Sequence, residues 1–351
     1  MSKAARRWPV RAGVVAAVAV GMLVAASSAF ATTTINGAGA TFPALLYGRW
    51  AHDYSAARIN YNAVGSGTGI TQITNGTVNF GASDKPLTRA ALNASPGLVQ
   101  FPSCIGGIVP IVHLGGVGAG RLRLSGPVLA QIYEGKITKW NDSRITSLNP
   151  GLKLSGAIHT VHRSDSSGTT WIYTHYLQSV DHSWPFADMS GRWPGSNAIG
   201  MKGSASVAAE VQNLSGAIGY VEYSYALTAH IPYAQMKNRS GKWVLPSASK
   251  FAAAAAHAKW TWSDGFTASL VNQTGAASWP ITGPTYILVR RSQNSYAVGN
   301  SMLKFFNWAF TSSQGIRDAQ GLDFVPLPAA AVKAIKTVWH ANVKNGSKPC
   351  W

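Results

Sequence analysis

The stretch Val161–Trp171, V-H-R-S-D-S-S-G-T-T-W, constrains the fold more than any other. A short β-type run, Ala157–His162, precedes it, and apolar residues at helical spacing follow at Trp171, Ile172, Tyr176 and Leu177. Between them lie one arginine, one aspartate and a cluster of small hydroxyl and glycine residues. This predicts a strand, a tight turn and a helix N-terminus, because Ser and Thr oxygens cap the free N–H groups of a first helical turn. Those N–H groups point outward and attract an anion. Arg163 adds a donor fork that matches a tetrahedral oxyanion. An ordinary capped helix with a surface arginine is the other reading of this stretch alone.

The same arrangement recurs along the chain. Thr32–Phe42, T-T-T-I-N-G-A-G-A-T-F, reads as a strand and a glycine-rich turn before a helix over Pro43–Ala56. Arg58–Val64 is a strand that ends in Gly65-Ser66-Gly67-Thr68-Gly69, with a helix expected from Ile70 to Asn75. Val78–Asp84 ends in a polar turn, and Thr88 is placed to cap the helix that follows. None of these turns fits the commoner glycine motifs. Phe42 stands where a dinucleotide fingerprint needs its third glycine, and no Gly-Lys-Ser/Thr follows Gly69. G-S-G is also not the G-x-S-x-G of a nucleophile elbow.

Two long apolar segments, Val99–His113 and Trp279–Arg290, read as strands that each connect two lobes. A further strand is expected at Gly216–Tyr223, and helices at 127–132, 207–212, 251–257, 302–312 and 329–343. Trp184–Ser206 is rich in Gly, Pro and Trp and reads as loop. Alternating strands and helices predict an α/β protein with mainly parallel sheets and ligands at the carboxyl ends of the strands. All the hydroxyl-rich turns lie at such ends.

The chain has 351 residues, 46% of them apolar, enough for two cored domains. Residues 1–31 have the form of a cleavable secretory signal: Lys3, Arg6, Arg7 and Arg11, then the uncharged run Ala12–Phe30, then Ala29-Phe30-Ala31. A retained membrane anchor is the alternative. Loss of those four bases lowers the formal charge from +18 to +14, and only twelve Asp and Glu stand against the bases. The bases are scattered rather than grouped, unlike those of nucleic-acid binders. The charge is read as steering an anionic ligand, as favouring an anionic surface, or as an adaptation to an acidic compartment; we prefer the last. Cys104 and Cys350 are the only cysteines and are candidates for a disulfide in an exported protein. Cys104 also reads as a small buried side chain.

Catalytic parts are scarce. Glu134, Glu210 and Glu222 are the only glutamates, and none sits in a polar cluster. His159 and His162 fall on opposite faces of a strand, which does not make a metal site. Asp84, at a strand end, reads either as a turn carboxylate or as part of a site. Hydroxyls, backbone N–H groups, one arginine and one aspartate are the parts of an oxyanion receptor.

Against this background the chain resembles the periplasmic phosphate-binding proteins of bacterial Pst phosphate ABC transporters. The resemblance rests on G-A-G-A-T-F-P (37–43), Y-N-A-V-G-S-G-T-G-I-T-Q-I (61–73), F-G-A-S-D-K-P-L (80–87), Y-E-G-K-I-T-K-W-N-D (133–142), H-R-S-D-S-S-G-T-T (162–170), G-A-I-G-Y-V-E-Y (216–223) and L-K-F-F-N-W-A-F (303–310). It implies a two-lobed periplasmic-binding-protein fold (type II), each lobe a mainly parallel sheet flanked by helices, with the ligand in the cleft. The first lobe would comprise residues 32–110 and 284–351, and the second 111–283. Ala40, Thr41, Phe42, Ser66 and Asp84 would hold phosphate from the first lobe. Arg163, Ser167, Gly168 and Thr169 would hold it from the second, with Asp165 bracing Arg163. The implied protein is a periplasmic binder and not an enzyme. It needs no cofactor, metal or nucleic acid. As a monomer it delivers inorganic phosphate to ABC-transporter permease subunits with a cytoplasmic ATPase. A secreted phosphate-binding homologue acting in adhesion or surface capture, and a phosphatase, are the rivals. Ser166 departs from the family's usual glycine, at a turn that favours positive φ.

Overall fold

A computed structural model describes residues 33–94, 97–195, 198–256 and 258–351; the expected signal segment lies outside them. Eight strands form one sheet: β1 (Thr34–Gly39), β2 (Arg58–Asn62), β3 (Phe80–Ser83), β4 (Leu98–Val112), β5 (His159–Arg163), β6 (Ala198–Met201), β7 (Ala217–Glu222) and β8 (Thr282–Arg290). Their order is β2-β1-β3-β8-β4-β7-β5-β6. The sheet is mixed. β1 runs parallel to β2 and β3, and β5 runs parallel to β6 and β7. The two long strands run antiparallel to their neighbours. Parallel pairing is therefore confined to the two outer groups, each fed by crossover helices, as parallel strands require.

β4 joins the two groups. Its residues Leu98–Gly107 pair with β8, and Ile108–Val112 pair with β7. All fifteen of its residues are buried, so the strand reads as a continuous apolar run rather than an alternating one. On the β1 side, Phe80, Phe101, Phe306, Phe310 and Trp339 pack edge-to-face, tilted or stacked against one another. On the β5 side, Tyr133, Tyr173, Tyr220 and Trp193 do the same. Each fully buried large side chain contributes roughly 1.5–3 kcal/mol of hydrophobic stabilisation, and both groups feed one contiguous core.

Four helices start directly after strand-end turns: α1 (Ala44–Asp53), α2 (Ser66–Asn75), α3 (Gly168–Val180) and α4 (Gly203–Asn213). Gly65-Ser66-Gly67-Thr68-Gly69 opens α2 rather than preceding it, four residues earlier than expected. Gly69 lies against the first strand, where a Cβ would sit 2.7 Å from the Ala38 carbonyl oxygen. The glycine that looked like a loop signal is thus a helix–strand packing residue. Trp184–Ser206, expected to be loop, contains edge strand β6 and the start of α4. The helices at Tyr223–Thr228 and Ser313–Gly321 were not expected.

The candidate disulfide is not formed. Cys104 and Cys350 are free thiols, each buried. Cys104 lies within β4 beside the Ser103 hydroxyl, whereas Cys350 packs near Gly299 of the helix Tyr296–Thr311. Each fills its own packing site.

Candidate functional site

The turns that precede α1, α2, α3 and α4 meet at the carboxyl ends of the strands. α3 is capped as its sequence requires: Ser167 Oγ accepts from the Thr170 N–H at 3.1 Å. Ser66 Oγ, at the start of α2, accepts from the N–H of Gly168 (3.1 Å) and of Asp84 (3.3 Å). One hydroxyl thus ties together three segments far apart in sequence. The Gly67 N–H donates to the Ser166 carbonyl at 3.0 Å. Ser166 does not adopt positive φ, so the departure from glycine brings no backbone strain. Gly168 is the residue that cannot change: a Cβ there would lie 2.6 Å from both Asp84 N and Ser66 Oγ.

Arg163 ends β5 and is 1% exposed. Its Nε donates to Asp165 Oδ1 at 2.6 Å, and its Nη2 donates to Asp165 Oδ2, a bidentate pair. Its Nη1 donates to Thr41 Oγ1 at 2.8 Å and approaches Ser204 Oγ at 3.3 Å. Burial alone would raise the Asp165 carboxyl, but the Arg163 guanidinium and the Gly203 N–H, at 3.0 Å, hold it below its usual range. Arg163 is therefore fully neutralised before any ligand is considered.

Asp84 is completely buried. Thr285 Oγ1 donates to its Oδ1 at 2.7 Å and Thr169 Oγ1 to its Oδ2 at 3.1 Å. Burial pushes its carboxyl up from 3.8 to about 6, against the pull of the two threonines and of Arg163. Summed over Arg163, Asp165 and Asp84, the site carries no net positive charge once Asp84 ionises. An anion here is held by hydrogen-bond donors and helix N-termini rather than by excess charge.

The residues singled out from the sequence divide into two sets. Thr41, Ser66, Asp84, Arg163, Gly168 and Thr169 converge, and all of those with side chains are at least 95% buried. Among the described residues, nothing accepts from the N–H groups of Thr41, Phe42 and Thr169. Ala40, by contrast, spends its N–H on the Ala82 carbonyl and its own carbonyl on the Tyr61 hydroxyl. The Ser167 N–H is taken by the Met189 carbonyl. The Phe42 ring packs edge-on against Phe324, so only its backbone is available. Sequence reasoning missed Ser204, Tyr225 and Thr285. Ser204 Oγ lies 2.7 Å from Thr41 Oγ1, and the Tyr225 hydroxyl donates to the Thr41 carbonyl at 2.7 Å. G-S-A-S at 203–206 was a fourth Gly/Ser helix start and a usable signal for Ser204. Surface clefts of about 680 Å³ beside Arg49 and Leu322, and of about 420 Å³ beside Arg121 and Pro150, lie away from these residues.

A family model described as the PBP superfamily domain matches residues 24–313. The chain is 46% identical over 317 residues to the phosphate-binding protein PstS of Xylella fastidiosa (strain 9a5c), covering 88% of this chain and 86% of that protein. It is 43% identical over 336 residues to PstS of Pasteurella multocida (strain Pm70), covering 92% and 96%. Among solved structures, a high-affinity periplasmic phosphate-binding protein (PfluDING) bound with phosphate has a TM-score of 0.73 at 23% identity, covering 89% of this chain and 96% of that one. At that identity the likeness speaks for the fold alone.

Proposed function

The chain belongs to the PBP superfamily and, within it, to the PstS phosphate-binding proteins, and from that premise we propose that it binds inorganic phosphate in the cleft between α1, α2 and α3. The single observation that carries the reading is the buried Asp84 carboxyl facing a set of donors. Phosphate near neutral pH still carries a proton, which an ionised carboxylate accepts. Sulfate has none to give and leaves that carboxylate unpaired, at a cost of roughly 1–3 kcal/mol or more. Arg163, pre-aimed by Asp165, and the N–H groups of Thr41, Phe42 and Thr169 supply donors to the other oxygens. The protein is a receptor and not an enzyme.

The two lobes are residues 32–110 with 284–351, and 111–283. They close about β4 and β8 and offer the closed surface to ABC-transporter permease subunits served by a cytoplasmic ATPase. The protein works in the periplasm, after removal of residues 1–31. The Cβ clash at Gly168 supports a ligand-gated closure, because the two lobes approach there to backbone contact. Calorimetric titration with phosphate and with sulfate, at pH 7 and pH 4, on wild type and Asp84→Asn, tests the binding. Phosphate bound and sulfate ignored by wild type, with that discrimination relaxed in the variant, is the expected result. Wild type that binds neither ion would remove the assignment.

A further inference from the structure

Thr285 lies in the middle of β8, in a segment with no turn and no hydroxyl cluster, and is completely buried. The pairing of β8 with β4 slips by one residue beside it. Thr285 pairs with Cys104 and Tyr286 with Pro102, which leaves Ser103 as the extra residue of a β-bulge. Pro102 has no N–H to give to a ladder, so the irregularity falls at a residue that tolerates it. Ser103 Oγ donates to the Thr285 carbonyl at 3.1 Å and also contacts the Tyr47 hydroxyl. The backbone of Thr285 is thereby fixed from the β4 side. On the other side β8 pairs with β3, with Tyr286 opposite Ser83, which puts Thr285 beside Asp84 at the end of that strand.

We propose that Thr285 is a specificity-determining residue of the anion site: by donating to Asp84 Oδ1 it fixes the carboxylate as an acceptor, and so selects an oxyanion that still carries a proton over one that does not. The proposal rests on the phosphate reading given above. Thr169 cannot do this alone. It belongs to the opposite lobe, at the start of α3, and its bond to Oδ2 at 3.1 Å is made across the cleft. Thr285 is on the same lobe as Asp84 and holds the carboxylate whether the cleft is open or shut.

The other groups around Asp84 do not share its titration. Among the described residues Arg163 from β5 is the one cation acting on Asp84, and it pairs with Asp165. Burial raises the Cys104 thiol on β4, and raises the hydroxyls of Tyr47 on α1, Tyr61 on β2 and Tyr225 on the helix Tyr223–Thr228 well above neutrality. Asp84 is thus the only one of these groups that changes charge between pH 5 and 8, and Thr285 shifts the pH at which it does so. Once protonated, Asp84 becomes a donor, and the site turns from rejecting sulfate to accepting it.

The test compares wild type with Thr285→Val, which keeps the shape and loses the donor, and Thr285→Ser, which keeps the donor. Two quantities are read from pH 4.5 to 8.5. One is the carboxyl ¹³C titration of Asp84 in anion-free protein, assigned with Asp84→Asn. The other is the affinity for phosphate and for sulfate by calorimetry. A hydrogen bond to a charged group is strong enough to move the titration by roughly one pH unit. In Thr285→Val the pH at which sulfate begins to bind therefore rises by about one unit, and phosphate binding at pH 7 weakens by about tenfold at most. Thr285→Ser returns both to wild type. If Thr285→Val titrates and discriminates as wild type does, the role of Thr285 is overturned and the phosphate reading stands. If wild type binds neither anion, the phosphate reading itself fails and takes this inference with it.

Discussion

Replacing Asp84 by asparagine removes a buried charge whose protonation is tied to folding. In the folded chain burial holds this carboxyl at about 6, against 3.8 for the free group. The folded state therefore keeps a proton that the unfolded state has released between these two values. The sign follows: stability from this group is fully present below pH 3.8 and is lost as pH rises through about 6. Two pH units at 1.36 kcal/mol each give a cost of about 3 kcal/mol at pH 8. Asparagine fits the same space: one of the hydroxyls of Thr169 and Thr285 keeps donating to its amide oxygen, and the other can turn to accept from its NH2. In thermal unfolding of anion-free protein, Asp84→Asn should melt about 6 °C above wild type at pH 8, at roughly 2 °C per kcal/mol for a chain of this size. The gap should close at pH 4. Bound phosphate must be removed first, because a ligand raises the melting temperature of wild type by mass action. Equal melting at pH 8, or a gap that does not change with pH, would refute the reasoning that the cleft holds a desolvated carboxylate at a cost to the fold.

Gly168→Ala should leave the fold intact and lower phosphate affinity at least tenfold, because the new methyl meets Asp84 N and Ser66 Oγ; calorimetry with small-angle scattering for closure checks this. Asp165→Asn leaves Arg163 buried without its anion, and should destabilise by about 3 kcal/mol in denaturant unfolding. Thiol titration of native protein should find neither cysteine, and titration in denaturant without reductant should find both. Between pH 7 and 4 the denaturation midpoint should change little, because carboxyls that gain stability on taking up protons work against His162 and His175, whose imidazoles burial holds low and which lose stability as they charge. Asp84, Glu222 and Asp318 are raised by burial and gain stability as they take up protons, while Asp142, at about 2, and Asp165 keep theirs until the pH falls below the ordinary carboxylate range. A midpoint that falls steeply above pH 5 would count against an adaptation to acid.

The sequence showed the site best where local chemistry and tertiary role coincide. Ser167 announces itself as a cap, and Arg163 and Asp165 sit two residues apart, so the turn between β5 and α3 could be read from the residues alone. Ser66 and Asp84 were legible as polar residues at strand ends, but not as partners, since only the sheet order brings β3 against β1 and α2. Thr285 was invisible because nothing local marks it. Its role comes from lying opposite Asp84 across 201 residues of chain, and from a bulge set by Pro102 and Ser103 on another strand. The helix start at Gly65–Gly69 was misplaced for a related reason: glycine signals a turn by propensity, whereas Gly69 is there for a close approach to β1. Edge strand β6 was hidden by the Gly, Pro and Trp content around it, and its pairing with β5 supplied what its own sequence lacks.

The place of β8 in the sheet bears on how the chain comes to be folded at all. β8 lies between β3 and β4, so the sheet has a gap at its centre until residues 282–290 arrive. No shorter nascent chain can complete the sheet, and the contacts that do so span most of the sequence. Such long-range pairing is slow to form. A polypeptide that emerges from the ribosome therefore cannot complete this sheet until residues 282–290 have been made, and the late strand acts as a built-in delay on folding.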